Sequence, residues 1–135
     1  MATILVVDDN QPIRTMLAVV LEGEGHTVIT AENGAQAFHI LRSHQDEFDL
    51  VVSDVMMPEI DGPTLATKLS KEQPTLPVLL ISGGSENLDF DSLKSFQFLA
   101  KPFDLTTFLA TVRRLLIGRA SPHEYFATGF GPQSR

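Results

Sequence analysis

Five side chains in this sequence could do chemistry together: Asp8, Asp9, Asp54, Ser82 and Lys101, the last followed by Pro102. They comprise three carboxylates, one hydroxyl and one ammonium, drawn from segments far apart in the chain. Carboxylates crowded into one crevice repel one another and raise each other's pKa values. A hard divalent cation removes that penalty, and an all-oxygen site with room for water suits Mg2+. Taken singly, each aspartate reads as easily as a helix cap or a loop decoration. Only convergence makes them a site, so the elements that carry them decide the matter.

Short apolar runs alternate five times with amphipathic stretches. Residues 4–7 are β-rich and nearly continuous in apolarity, which suits a strand buried on both faces. Asn10 is placed to cap a helix, and Pro12 falls in its first turn, where a missing N–H costs little. Ile13, Met16, Leu17, Val20 and Leu21 follow at helical spacing, and Gly23 and Gly25 close the helix. A second strand is expected at 26–30, and Asn33-Gly34 opens a helix carrying Ala37, Phe38, Ile40 and Leu41. The third strand, 49–53, ends on Asp54; Pro63 starts a helix running to about Glu72. Residues 77–81 form a fourth strand stopped by Ser82-Gly83-Gly84-Ser85, and 96–100 a fifth. Between these two, segment 86–95 is too short and too polar for more than a stubby helix. Asp104 caps a last helix with Leu105, Phe108, Leu109, Val112, Leu115 and Leu116 on one face.

Five βα units imply right-handed crossovers and a parallel sheet with helices on both faces. The expected class is α/β: a doubly wound, five-stranded, flavodoxin-like sheet in strand order 2-1-3-4-5. Ligands of such sheets bind beyond the carboxyl ends of the strands. Asp8 and Asp9 follow strand one, Asp54 ends strand three, Ser82 follows strand four and Lys101-Pro102 follow strand five. All five side chains therefore fall on one rim.

Composition narrows the function classes. With 135 residues, 43% of them hydrophobic, the chain suits one domain around a single core. Seventeen acids against ten bases give a net charge of −7, which works against binding nucleic acid or an anionic membrane. The absence of cysteine excludes a disulfide scaffold, a thiolate zinc site and a thiol nucleophile. The N-terminal apolar run is too short for a secretory or membrane segment, so a cytoplasmic location is expected. Residues 1–117 read as the folded domain; 118–135, rich in Gly, Pro and Ser, read as a tail with no output domain. Met1, two residues before the first strand, favours a free-standing protein. His26, His39, His44 and His123 lack ligand spacing and read as surface or boundary residues, and Arg113-Arg114 as a solvated helix face.

The set Asp8-Asp9, Asp54, Ser82 and Lys101-Pro102, with the flanking segments ILVVDDN, DLVVSDVMMPEIDG and LLISG, resembles the receiver domain of two-component response regulators. The resemblance spans residues 3–117. It implies that Asp54 is the phosphoacceptor, attacking a phosphohistidine of a histidine kinase or histidine phosphotransfer protein to give an acyl phosphate. It makes Asp9 a direct Mg2+ ligand with Asp8 beside it, the Asp54 carboxylate and the backbone carbonyl of Met56 completing the protein ligands. Lys101 would pair with one phosphoryl oxygen, Ser82 would donate to another, and the Lys101–Pro102 peptide would be cis. Phe98 matches the family's aromatic switch position, able to fill space that Ser82 vacates; a phenylalanine on a buried strand is also what a core needs.

The expected function is that of a single-domain response regulator in bacterial signalling, not a turnover enzyme. It would be a phosphoprotein with self-catalysed phosphotransfer, monomeric or weakly dimeric, binding a downstream protein when phosphorylated or passing the group along a phosphorelay. Met56 and Gly84 occupy positions that tune dephosphorylation in the family, and neither suits orienting water, so slow autodephosphorylation is expected. The segment PEIDGPTLATKL is more like receivers of hybrid histidine kinases, and a degenerate receiver binding partners without phosphorylation is the alternative. Only residues 83–100 lie between Ser82 and Lys101, and the family's Gly-Ala turn before the fifth strand is missing, which unsettles the output surface. A dehalogenase-type phosphatase would want a second acid where Met56 stands. A flavodoxin would want aromatic rings for its flavin, and the chain has one tyrosine and no tryptophan.

Overall fold

A computed structural model describes residues 1–55, 62–82 and 97–119. Its strands are β1 (Thr3–Val7), β2 (Thr27–Ala31), β3 (Leu50–Asp54), β4 (Val78–Ser82) and β5 (Gln97–Ala100). All pair in parallel, in the order β2-β1-β3-β4-β5 expected of the doubly wound sheet. The described helices are α1 (Gln11–Gly23), α2 (Gly34–Ser43), α3 (Gly62–Glu72) and α4 (Leu105–Arg119).

The period of two along β1 explains how both faces are covered. Leu5 and Val7 join Val51 and Leu80 in one apolar cluster with Ala37 and Leu41 of α2 and Leu65, Ala66 and Leu69 of α3. Ile4 and Val6 join Val52, Leu79 and Ile81 in the other, with Leu17 and Leu21 of α1 and Phe108 and Val112 of α4. A near-continuous apolar run is what such a strand needs, because among the described residues each face meets its own pair of helices. Phe48, just before β3, is buried in the first cluster and carries no periodic signal in the sequence.

The expected caps are in place. Asn10 accepts from the Ile13 N–H at 3.1 Å, Asn33 from the Gln36 N–H at 2.7 Å, and Asp104 from the Thr107 N–H at 2.7 Å. After α1 the chain reverses through Gly25, whose φ of +94° a side chain would strain.

Two apolar residues assigned to buried helix faces are exposed: Met16 on α1 at 42% and Leu105 on α4 at 41%. Each lies at the margin of its stripe, where the neighbouring backbone no longer shields it. Helix α4 runs through Gly118 to Arg119, two residues past the boundary expected at 117. The stubby helix expected at 86–95 and the rest of the tail lie outside the described residues. No described helix is long and apolar enough to cross a membrane.

Strands β2, β3 and β4 begin and end one residue later than the apolar pattern suggests. That shift matters at the rim, because it takes Asp54 and Ser82 into the ladder, opposite Ile81 and Ala100. The hydrogen bonding continues even further. Asp8 N–H donates to Ala31 O at 3.2 Å, Val55 N–H to Ile81 O at 2.9 Å and Lys101 N–H to Ser82 O at 2.7 Å. The backbone that carries the polar residues is thus sheet rather than loop.

Candidate functional site

The carboxylates of Asp8, Asp9 and Asp54 meet at the carboxyl end of the sheet, with oxygens of all three within 4.8 Å of one another. Asp8 is 1% and Asp54 7% exposed, while Asp9 is open to solvent. Lys101 closes the group from β5, its Nζ 3.4 Å from Asp54 Oδ1. The Lys101–Pro102 peptide is cis. Ser82 is buried at the end of β4, one strand from Asp54, and Phe98 sits half-buried on β5 against the cluster shared with α2 and α3. Ser53, buried beneath the site, donates its hydroxyl to Asp54 O at 3.0 Å. Met56, the expected carbonyl ligand, lies outside the described residues, as does Gly84.

Electrostatics sets this cluster apart from ordinary surface acids. Burial pushes the Asp8 carboxyl above its usual range; the Asn10 N–H, 2.9 Å from Oδ1, pulls it back, and the neighbouring charge of Asp54 raises it again. Burial likewise raises Asp54, against the opposing pull of Lys101 and with a further push from Asp9. Two buried carboxylates whose ionised forms are disfavoured, next to a third with no side-chain hydrogen bond among the described residues, form a hard-oxygen donor set short of positive charge. Those are the properties that a Mg2+ site with several retained waters requires.

A stability prediction follows from the sign of these shifts. A carboxyl whose pKa is higher folded than unfolded contributes stability below its unfolded value, near 3.8 for Asp8. That contribution is lost as pH rises through the raised value. At neutral pH the crowded charges therefore work against folding. Asp8→Asn, which keeps an acceptor for the Asn10 N–H, is expected to melt several degrees higher than wild type at pH 7 without divalent cations. The advantage should shrink as pH approaches 4, and added Mg2+ should stabilise wild type far more than the variant. Calorimetric melting across pH, with and without Mg2+, checks this; an unchanged or lower melting temperature at pH 7 contradicts it.

Beside Lys101 an apolar groove of about 590 Å³ runs between α1 and the β5–α4 connection, lined by Ile13, Met16, Pro102, Phe103 and Leu105. A second cleft, of about 500 Å³, opens among Met1, His26, Asp49 and Arg113 at the other end of the sheet, away from the acids. There His26 Nδ1 accepts from the Ala2 N–H at 3.2 Å, a boundary position with no ligand set around it. His39 and His44 are exposed, and His123 is outside the described residues. Arg113 is exposed and pairs with Glu24 at 3.1 Å, while Arg114 donates to Gln97 at 3.0 Å. One residue at the rim escapes sequence reasoning: Arg14, whose Nη1 donates to the Asp8 carbonyl at 2.7 Å. Its spacing from the acid pair, one turn into the helix they precede, was the available signal.

Residues 4–113 match the response regulator receiver domain family. The chain is 40% identical over 120 residues to the sensor kinase CckA of Brucella abortus, covering 85% of this chain and 12% of the kinase. It is 36% identical to the transcriptional regulatory protein GlrR of Escherichia coli, of which it spans 23%. Against the response regulator receiver protein CpdR of Brucella abortus the identity is 32%, covering 87% of this chain and 98% of CpdR. Among solved structures, the response regulator TrrA of Thermotoga maritima, in complex with Mg2+-BeF, superposes with a TM-score of 0.76 at 33% identity, covering 85% and 99% of the two chains. Sequence, topology and the arrangement of acids around Asp54 lead to one assignment: the chain belongs to the response regulator receiver domain family.

Proposed function

We propose that this receiver takes a phosphoryl group onto Asp54 from a phosphohistidine of a histidine kinase or histidine phosphotransfer protein, and signals by phosphorylation-dependent binding or by relay. The observation that carries the reading is the buried Asp54 carboxylate, held between an acid pair and the Lys101 ammonium at 3.4 Å. A carboxylate oxygen of Asp54 attacks phosphorus; the P–N bond to the imidazole breaks, its electron pair returning to the ring nitrogen. Catalysis of such a transfer is mostly positioning and charge neutralisation. Lys101 supplies a point charge to one phosphoryl oxygen and Ser82 a hydrogen bond to another. Held by Asp8, Asp9 and Asp54, Mg2+ would offset the remaining negative charge. Phe98, half-buried on β5 opposite Leu80, two residues before Ser82, is the residue we assign to the conformational readout, and the protein is read as a cytoplasmic phosphoprotein that loses its phosphoryl group slowly.

The groove next to Lys101 supports a protein donor. Exposed large hydrophobics are few among the described residues, yet Met16 and Leu105 are two of them and both line this groove. No charged side chain interrupts α1 between Arg14 and Glu22. An apolar strip bordering the acceptor fits a helix of the donor that presents its phosphohistidine to Asp54.

Two labelling reactions test the reading. Incubation with acetyl phosphate and Mg2+ should add one phosphoryl group, removable by hydroxylamine as an acyl phosphate is. A Met16→Glu variant should label from acetyl phosphate at the wild-type rate, while transfer from a histidine kinase slows by roughly tenfold or more, as expected when one well-packed contact is replaced by a charge. Failure of wild type to label would overturn the function; equal loss with both donors would overturn the docking face.

A further inference from the structure

We infer that Arg14 is a positioning residue of the divalent-cation site, gripping the peptide group that aims Asp9. This rests on the proposed Mg2+ role of the acids and goes beyond it by adding a residue that does not touch the ion.

Asp9 is exposed, and its carboxylate makes no hydrogen bond among the described residues, so its direction is set by the backbone on either side. Among the described residues, four hydrogen bonds hold that backbone. Asp8 N–H donates to Ala31 O at 3.2 Å, as an extension of the sheet. Asn10 N–H donates to Asp8 Oδ1 at 2.9 Å, closing a turn around Asp9. Arg14 N–H donates to Asn10 O at 2.9 Å, as in any first helical turn. The fourth is different in kind: Arg14 Nη1 reaches back from α1 to the Asp8 carbonyl at 2.7 Å.

That carbonyl belongs to the peptide plane joining Asp8 to Asp9. Its orientation fixes ψ of Asp8 and φ of Asp9 together, hence the direction in which the Asp9 side chain leaves the chain. The carbonyl also stands one step past the last ladder bond of β1, and among the described residues no backbone N–H donates to it. A guanidinium supplies a short, charge-assisted bond from a planar group that cannot deprotonate. Loss of a partner that orients a metal ligand from behind typically costs roughly 10–100-fold in affinity.

Charge and geometry make opposite demands here, which gives the inference a sharp test. As a positive charge near a cation site, Arg14 opposes Mg2+, and its removal should tighten binding if field alone mattered. As the grip on the Asp8–Asp9 peptide, its removal should loosen binding. Calorimetric titration of the full chain with Mg2+ is expected to show about tenfold weaker affinity for Arg14→Met than for wild type. Arg14→Lys, which keeps the charge and one donor but not the planar fork, should fall between them, about threefold weaker than wild type. Far-ultraviolet circular dichroism should show the same secondary structure in all three. Arg14→Met binding as tightly as wild type, or more tightly, overturns the inference. Should that variant fail to fold, Arg14→Lys decides alone, and wild-type affinity in it overturns the inference equally. A wild-type chain that binds no Mg2+ removes the proposed metal site itself, whereas a wild type that binds and labels normally, beside an indistinguishable Arg14→Met, removes only the role of Arg14.

Discussion

Asp54→Asn is expected to lose phosphoryl acceptance completely, from acetyl phosphate and from protein donors alike. The carboxamide keeps the size and shape of the side chain at a position only 7% exposed, so packing around it is preserved. What disappears is the proposed nucleophile, since an amide oxygen cannot form a stable acyl phosphate under these conditions. The variant should not unfold. Burial and the charge of Asp9 disfavour the ionised form of Asp54, and a carboxamide avoids both, at the expense of the Lys101 pair. A melting temperature at or above wild type, with no labelling in the presence of Mg2+, is the expected pair of results. Labelling at the wild-type rate would show that another residue receives the phosphoryl group.

The second large effect is expected at Lys101. Replacement by Met preserves the length of the chain and removes the ammonium 3.4 Å from Asp54 Oδ1. Phosphoryl acceptance from acetyl phosphate should slow by about 100-fold, the scale on which removing one preorganised donor from a transition state acts. The pH dependence should move as well. Lys101 is the largest of the influences that lower the Asp54 pKa, so its loss lets burial raise that pKa further. The nucleophile must be ionised, and the acidic limb of the pH–rate profile should therefore shift to higher pH. Unchanged rates together with an unmoved acidic limb would remove Lys101 from the chemistry and leave it a structural ion pair. The two variants separate the role proposed for the Asp54 carboxylate from that proposed for the Lys101 charge.

Much of this arrangement was legible before any coordinates, for identifiable physical reasons. A strand buried on both faces must be apolar throughout, so residues 4–7 and 78–81 announce themselves, and the helix caps at Asn10 and Asp104 carry their own side-chain logic. Parallel connection then forces the strand ends onto one rim, which places Asp8, Asp9, Asp54, Ser82 and Lys101 without knowledge of any distance. The ends of β3 and β4 fall one residue beyond the apolar pattern, because ladder pairing continues through Asp54 and Ser82 and hydropathy cannot register it. Met16 and Leu105 were assigned inward on spacing alone, yet the margin of a helical stripe is decided by the neighbour it meets, and these two meet a groove. Phe48 and Arg14 act through contacts between segments, the first filling a core from a connection and the second bonding a carbonyl six residues back. Neither kind of contact leaves a periodic trace.

The bonds that carry the β3 and β4 ends past the sheet have a mechanical consequence. Asp54 is tied to Lys101 through their side chains, Lys101 to Ser82 through the backbone, and Ile81, the residue before Ser82, to Val55, the residue after Asp54. These links close a ring, with three non-covalent members and the chain itself supplying the rest. The lysine stem is the flexible member of that ring, and the two backbone bonds are its stiff ones. Drawing the Lys101 ammonium from the carboxylate onto an arriving anionic group would open the ring at its flexible member and leave the backbone bonds alone to hold the ends of β3, β4 and β5 together. A local change of charge at Asp54 would thereby reach the β4–β5 edge.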